Sequence, residues 1–128
     1  MKKFLIVDDQ EGWRNFNSNA VTEIFGNDAV VDFANCAQDG YTKLLNNFAE
    51  PYDCILTDMQ MEVDYAPKMA GEWLIEQIKS IAPYFKSKVV IISASPKIKS
   101  VAENYNVDYI PKNLAITSLE VYKDTLLK

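Results

Sequence analysis

The chain of 128 residues contains no histidine, one arginine (Arg14), two cysteines and four glycines. Without an imidazole there is no histidine general base, no Ser-His-Asp or Cys-His arrangement, and none of the commonest metal ligand. Lys and Arg together number 13 against 18 Asp and Glu, a net charge of −5. A nucleic-acid partner is therefore not expected, because phosphate neutralisation takes clustered Lys and Arg. Cationic ligands, metal ions or basic protein surfaces suit this balance better. Gly12, Gly26, Gly40 and Gly71 stand singly and form no phosphate-cradling loop. Cys36 and Cys54 form no CxxC, and each lies in or beside an apolar run, as reduced buried cysteines do. Long hydrophobic runs are also missing: Phe4 to Val7 ends at Asp8-Asp9, too short for a secretory h-region or a membrane span. No membrane association is expected, and the expected location is cytoplasmic.

What is present is the material of one ordinary domain over residues 1–128, with a hydrophobic fraction of 48% to supply its core. Short apolar runs at Phe4 to Val7, Ala29 to Phe33, Cys54 to Leu56, Val89 to Ile92 and Val107 to Ile110 read as five strands. Between and after them lie stripes of helical period: Trp13, Phe16, Ala20 and Ile24; Tyr41, Leu44, Leu45 and Phe48; Leu74, Ile75, Ile78 and Ile81; Ile98, Val101, Ala102 and Tyr105; Ile116, Leu119, Tyr122 and Leu126. Alternation of this kind predicts an α/β protein, a flavodoxin-like (βα)5 doubly wound parallel sheet of order 2-1-3-4-5. Ligand-binding groups in such sheets gather beyond the carboxyl ends of the strands, at the switch point between the first and third.

Asp8 and Asp9 follow the first strand, Asp58 the third, Ser93 the fourth and Lys112 the fifth. Three carboxylates converging on one point raise one another's pKa unless a cation neutralises them. A hard divalent ion such as Mg²⁺, held by one or two carboxylates, waters and a phosphate oxygen, answers that need. A carboxylate left free beside the metal can attack phosphorus, with Lys112 and Ser93 as point charge and hydroxyl donor to the phosphoryl oxygens.

These residues carry a resemblance. Phe4-Leu5-Ile6-Val7-Asp8-Asp9-Gln10-Glu11, Ala37-Gln38-Asp39-Gly40-Tyr41, Tyr52-Asp53-Cys54-Ile55-Leu56-Thr57-Asp58-Met59, Gly71 to Lys79, Val89-Val90-Ile91-Ile92-Ser93-Ala94 and Asp108-Tyr109-Ile110-Pro111-Lys112 together resemble a response-regulator receiver domain of two-component signalling. The likeness runs from Lys3 to the last helix. It implies that Asp58 is the phosphoacceptor and that Asp8, Asp9, Asp58 and the backbone carbonyl of Gln60 hold Mg²⁺. Ser93 and Lys112 are implied to bond the phosphoryl group, and Tyr109 to be the switch aromatic on the face of helix 4, strand 5 and helix 5. Gln60 and Ser95 flank the expected path of an attacking water and would tune phosphate lifetime.

Two features depart from the family pattern. The lysine after strand 5 is followed by Asn113 where the family has a proline, and Pro111 precedes it, so this loop is expected either to differ or to hold strain. The connection from Met61 to Gly71 is also about five residues longer than usual, a length often put to use. Glu62 and Asp64 within it are candidates for extra charge near the metal or for a recognition lip.

The reading that follows is a phosphoacceptor of a two-component phosphorelay, not an enzyme beyond its own phosphotransfer and dephosphorylation. Its phosphoryl donor is a sensor histidine kinase or histidine phosphotransfer protein. With no output domain expected within residues 1–128, its signal goes to a downstream protein target, and dimerisation on phosphorylation is left open. Two alternatives stand beside it: a receiver-like binding module that is never phosphorylated, and an aspartate-based metal-dependent phosphohydrolase. The second would place another aspartate two positions after the first, where this chain has Gln10.

Overall fold

Alternation of side chains along β1 (Lys2–Val7) explains the architecture. Phe4 and Ile6 point to one face of the sheet, Leu5 and Val7 to the other, and all four are buried. A strand buried on both faces has to be covered by helices on both. The computed structural model describes residues 2–61 and 69–128. In chain order the elements are β1, α1 (Glu11–Phe25), β2 (Ala29–Ala34), α2 (Ala37–Asn46), β3 (Cys54–Thr57), α3 (Ala70–Ser80), β4 (Lys88–Ser93), α4 (Ile98–Tyr105), β5 (Asp108–Pro111), α5 (Lys112–Ala115) and α6 (Leu119–Leu126).

The five strands form one sheet of order β2-β1-β3-β4-β5, parallel throughout. This is the flavodoxin-like topology expected from the sequence. On one face, Phe4, Ile6, Cys54, Leu56, Val90, Ile92 and Ile110 pack with Ala20 and Val21 of α1 and Tyr122 and Leu126 of α6. On the other, Leu5, Val7, Ile55, Val89 and Ile91 pack with Leu44 of α2, Leu74, Ile75 and Ile78 of α3, and Ile98, Val101 and Ala102 of α4. Apolar burial of about 25 cal/mol per Å² drives both layers. Cys54 is a free thiol in the first layer, its pKa pushed by burial up to about 12, and Cys36 is free and half-buried.

Polar groups inside these layers are paired. Tyr122 OH donates to Asn17 Oδ1 between α6 and α1, and Tyr84 OH donates to the Leu44 carbonyl at 2.7 Å, tying the turn after α3 to α2. No helix among the described residues is long and apolar enough to cross a membrane.

The helices differ from the periodicity reading at their ends: Phe48, read on the second stripe, lies past α2 and is exposed, and Ile81 lies just past α3. The stripe that places Ile116 on the last helix instead divides into the single turn α5 and a separate α6. Ser118 caps α6, its Oγ accepting the Glu120 N–H at 3.0 Å, and Thr117 Oγ1 donates to the Leu114 carbonyl at 2.6 Å. These local bonds satisfy backbone groups that a continuous helix would have used. Ile116 falls in the break and is 64% exposed. Residues 62–68 of the long connection after β3, Glu62 and Asp64 among them, lie outside the described residues; α3 is entered through Met69, whose N–H donates to Glu72 Oε2 at 3.1 Å.

Candidate phosphoacceptor site

Register brings the acids together. Val7 lies opposite Thr57 where β1 pairs with β3, so Asp8 and Asp58 leave the sheet side by side. The Asp58 N–H still donates to the Val7 carbonyl at 3.0 Å, and the Asp8 N–H to the Ala34 carbonyl at 3.1 Å. Asp8 is 1% exposed and Asp58 6%, with Asp9 half-buried beside them. One carboxylate oxygen from each of the three can be chosen so that all lie within 4.8 Å of one another.

Lys112, the first residue of α5 and itself 8% exposed, reaches into this cluster. Its Nζ donates to Asp58 Oδ2 at 3.1 Å and lies 3.1 Å from Asp8 Oδ2. The second contact is ionic, without hydrogen-bond geometry, and leaves Asp8 Oδ2 a buried oxygen with no hydrogen-bond donor. Asp8 Oδ1 accepts the Gln10 N–H at 2.9 Å, and Asp58 Oδ1 accepts the N–H of Met59 at 2.7 Å and that of Gln60 at 3.4 Å. Burial pushes the Asp8 carboxyl above its ordinary range; the Gln10 N–H opposes this, the Asp58 charge adds to it, and Lys112 opposes it.

Lys112 pairs with Asp8 and Asp58 and is the one ammonium in ion-pair contact with these three carboxylates among the described residues, so acidic groups outnumber basic ones here. Closely set oxygen donors with an orphaned buried oxygen fit a hard divalent cation of the Mg²⁺ class.

Ser93 ends β4 fully buried, opposite Pro111 of β5, and its Oγ accepts the Ser95 N–H at 3.1 Å. Ser95 is also buried and accepts the Lys97 N–H at 3.1 Å. Gln60 is exposed just past Asp58, and Tyr109 is half-buried against the α4 side of the core. With Asn113 after it and Pro111 before it, the chain enters α5 directly, and that turn carries Lys112 to the carboxylates.

Three residues singled out for no role in this chemistry by sequence reasoning prove to touch the site. Arg14 Nη1 donates to the Asp8 carbonyl at 2.8 Å. The Trp13 ring lies 4.8 Å from Lys112 Nζ. Gly71, in the first turn of α3, donates its N–H to the Met59 carbonyl at 2.9 Å. A Cβ on Gly71 would lie 2.1 Å from the Asp58 carbonyl oxygen and 2.6 Å from Met59 Cα, so only glycine lets α3 approach the strand end this closely. Nothing local in the sequence signals this, since the glycine cost of a helix interior does not apply in a first turn.

No protein-family model matches the chain, and no curated protein sequence matches it. Solved structures do. The chemotaxis response regulator CheY4 of Vibrio cholerae is 20% identical, with 99% of this chain and 97% of that one covered and a TM-score of 0.77. The signal receiver domain of a DNA-binding response regulator from Colwellia psychrerythraea is 19% identical, with coverages of 99% and 98% and a TM-score of 0.75. The BeF3-activated DrrB receiver domain is 18% identical, with coverages of 100% and 99% and a TM-score of 0.69. What this chain shares with them, over essentially its whole length, is the fold of receiver domains.

Proposed function

We propose that the protein is a response-regulator receiver in which Asp58 accepts a phosphoryl group from a phosphohistidine on a partner kinase or phosphotransfer protein. One observation carries the reading. Asp58, at a strand end of a receiver-type sheet, shares the buried Lys112 ammonium with Asp8 at 3.1 Å on each side.

The Asp58 carboxylate attacks phosphorus, the phosphorus–nitrogen bond of the donor breaks, and the imidazole leaves with the electron pair and takes up a proton. Mg²⁺, bound by Asp8, Asp9, Asp58 and the Gln60 carbonyl, would supply charge neutralisation to the phosphoryl oxygens. Lys112 would offer its ammonium to the same oxygens, and Ser93 its hydroxyl. The added charge and strong acceptors draw Ser93 and Lys112 inward and bias a two-state equilibrium read at Tyr109, on the face of α4, β5 and α6. Gln60 and Ser95 tune how long the acyl phosphate lasts.

The receiver unit of residues 1–128 acts in the cytoplasm, catalyses nothing beyond its own phosphotransfer and dephosphorylation, and passes its signal to a protein target. Gln10, at the N-cap of α1, stands where a phosphohydrolase of the aspartate class needs a second acid, which disfavours that chemistry.

The test is incubation with a small phosphoryl donor, with and without Mg²⁺, followed by intact-mass measurement. One phosphate adduct is expected, dependent on Mg²⁺ and absent in Asp58→Asn. No adduct on the wild type, or one that survives Asp58→Asn, would favour the binding module that is never phosphorylated.

A further inference from the structure

Trp13 lies in the first turn of α1, half-buried, with its ring centroid 4.8 Å from Lys112 Nζ. The indole is itself held edge-on by Phe16, three residues along the helix, at 5.3 Å and 63°. Phe16 in turn lies 6.3 Å from the Tyr122 ring. The Lys112 ammonium thus has Asp8 and Asp58 at 3.1 Å and an aromatic face as a further neighbour. An ammonium is a compact point charge on a flexible four-carbon stem, and two carboxylates alone let it slide between them. A fixed π face beside a buried cation adds an attraction that depends on its direction.

From this arrangement we infer that Trp13 is a positioning residue for phosphoryl transfer: its indole face holds the Lys112 ammonium over Asp58, where the phosphoryl oxygens will develop charge. This role rests on the phosphoacceptor reading of Asp58. It acts through Lys112 and requires no contact between Trp13 and the phosphoryl group. Phenylalanine at the position keeps a weaker π face, and leucine keeps apolar bulk without one.

The experiment measures the rate of phosphate-adduct formation from phosphoramidate in saturating Mg²⁺ for the wild type, Trp13→Phe, Trp13→Leu, Lys112→Met and the Trp13→Leu/Lys112→Met pair. A cation–π contact of ordinary strength corresponds to about a 3- to 10-fold loss in Trp13→Leu, with Trp13→Phe between it and the wild type. In the Lys112→Met background, Trp13→Leu should change nothing further, because the group through which it acts is gone. An unchanged rate in Trp13→Leu, or the same fold-loss in both backgrounds, overturns the proposal. A second readout needs no turnover: in the metal-free protein the ε-methylene protons of Lys112 should be shifted upfield by the indole ring current and return downfield in Trp13→Leu. If those protons are unshifted in the wild type, the contact itself is refuted. If the wild type takes up no phosphate while the ring-current shift is present, the phosphoacceptor reading has failed and the positioning role falls with it, although the contact stands.

Discussion

Lys112 Nζ and Asp58 Oδ2 form a buried ion pair 3.1 Å apart that joins the exit of β5 to the exit of β3 across the intervening strand β4. Removing one member of such a pair leaves a desolvated charge, at a cost of about 3 kcal/mol or more. Lys112→Met should therefore lower unfolding stability by about that amount at pH 7, read by urea titration. The loss should shrink as pH falls, because Asp8, already raised by burial, then takes up a proton and relieves the repulsion. It should also shrink when Mg²⁺ is added. A loss independent of both would show that the lysine acts only through its packing.

Asp8 makes the opposite case. Its carboxyl is raised in the folded state chiefly by burial, so the fold binds that proton more tightly than the unfolded chain does. Ionised Asp8 then costs stability at neutral pH, and stability is gained as pH falls through the raised pKa. Asp8→Asn, which can still accept the Gln10 N–H, should raise the metal-free melting temperature by about 3 to 5 °C for each kcal/mol relieved. It should also abolish the stabilisation that Mg²⁺ is expected to give the wild type. A melting temperature that falls in metal-free buffer would contradict the assignment of net repulsion.

Gly71 couples helix packing to the acid site. The 2.1 Å approach of a Cβ to the Asp58 carbonyl oxygen is to backbone, which cannot rotate away. Gly71→Ala should destabilise by about 3 kcal/mol through overpacking and slow adduct formation at Asp58, since the displaced atoms belong to the proposed acceptor residue itself. Alanine at Gly12, where a Cβ meets nothing within 4 Å, is the control and should leave stability within about 0.5 kcal/mol. Equal melting temperatures for the two variants would refute the steric account.

Asp108 provides a pH signature far from the acids. Burial raises its pKa, but Lys128 at 2.7 Å and Lys88 at 3.1 Å outweigh that and hold it below the ordinary value. A depressed carboxyl contributes stability above its unfolded pKa and loses it as pH falls through the folded one. Asp108→Asn should thus be less stable than the wild type at pH 7, by about 0.5 to 1 kcal/mol given its partial exposure, and the difference should fade as the pH drops below the ordinary carboxylate value and through the depressed one. Denaturant titrations of both proteins across that window decide it.

The sheet and its acids are legible in the sequence because both rest on local pattern. Runs such as Val89 to Ile92 announce doubly buried strands, and an aspartate after each of two central runs has to emerge at the same edge of a parallel sheet. Ile116 marks the limit of periodicity: its spacing suits the last helix, yet Ser118 and Thr117 form local bonds that break the stripe before it. Gly71 and Trp13 are legible only in three dimensions. The first matters for a missing atom beside Asp58, the second for a ring brought to Lys112 from almost a hundred positions away along the chain.

Every strand pairing in the sheet is parallel, and this bears on how the protein reaches its native state. No hairpin is available to start the sheet, since each neighbour in it is separated along the chain by a crossover. Even the first contact, Lys2 against Ala29, must close a loop that contains α1. Refolding is therefore expected on the order of milliseconds or longer, measurable by stopped-flow fluorescence, whereas microsecond recovery would mean that helices assemble before any strand pairs. The pace at which crossovers close sets how long the bare apolar edges of β1 and β3 stay open to neighbouring chains during synthesis.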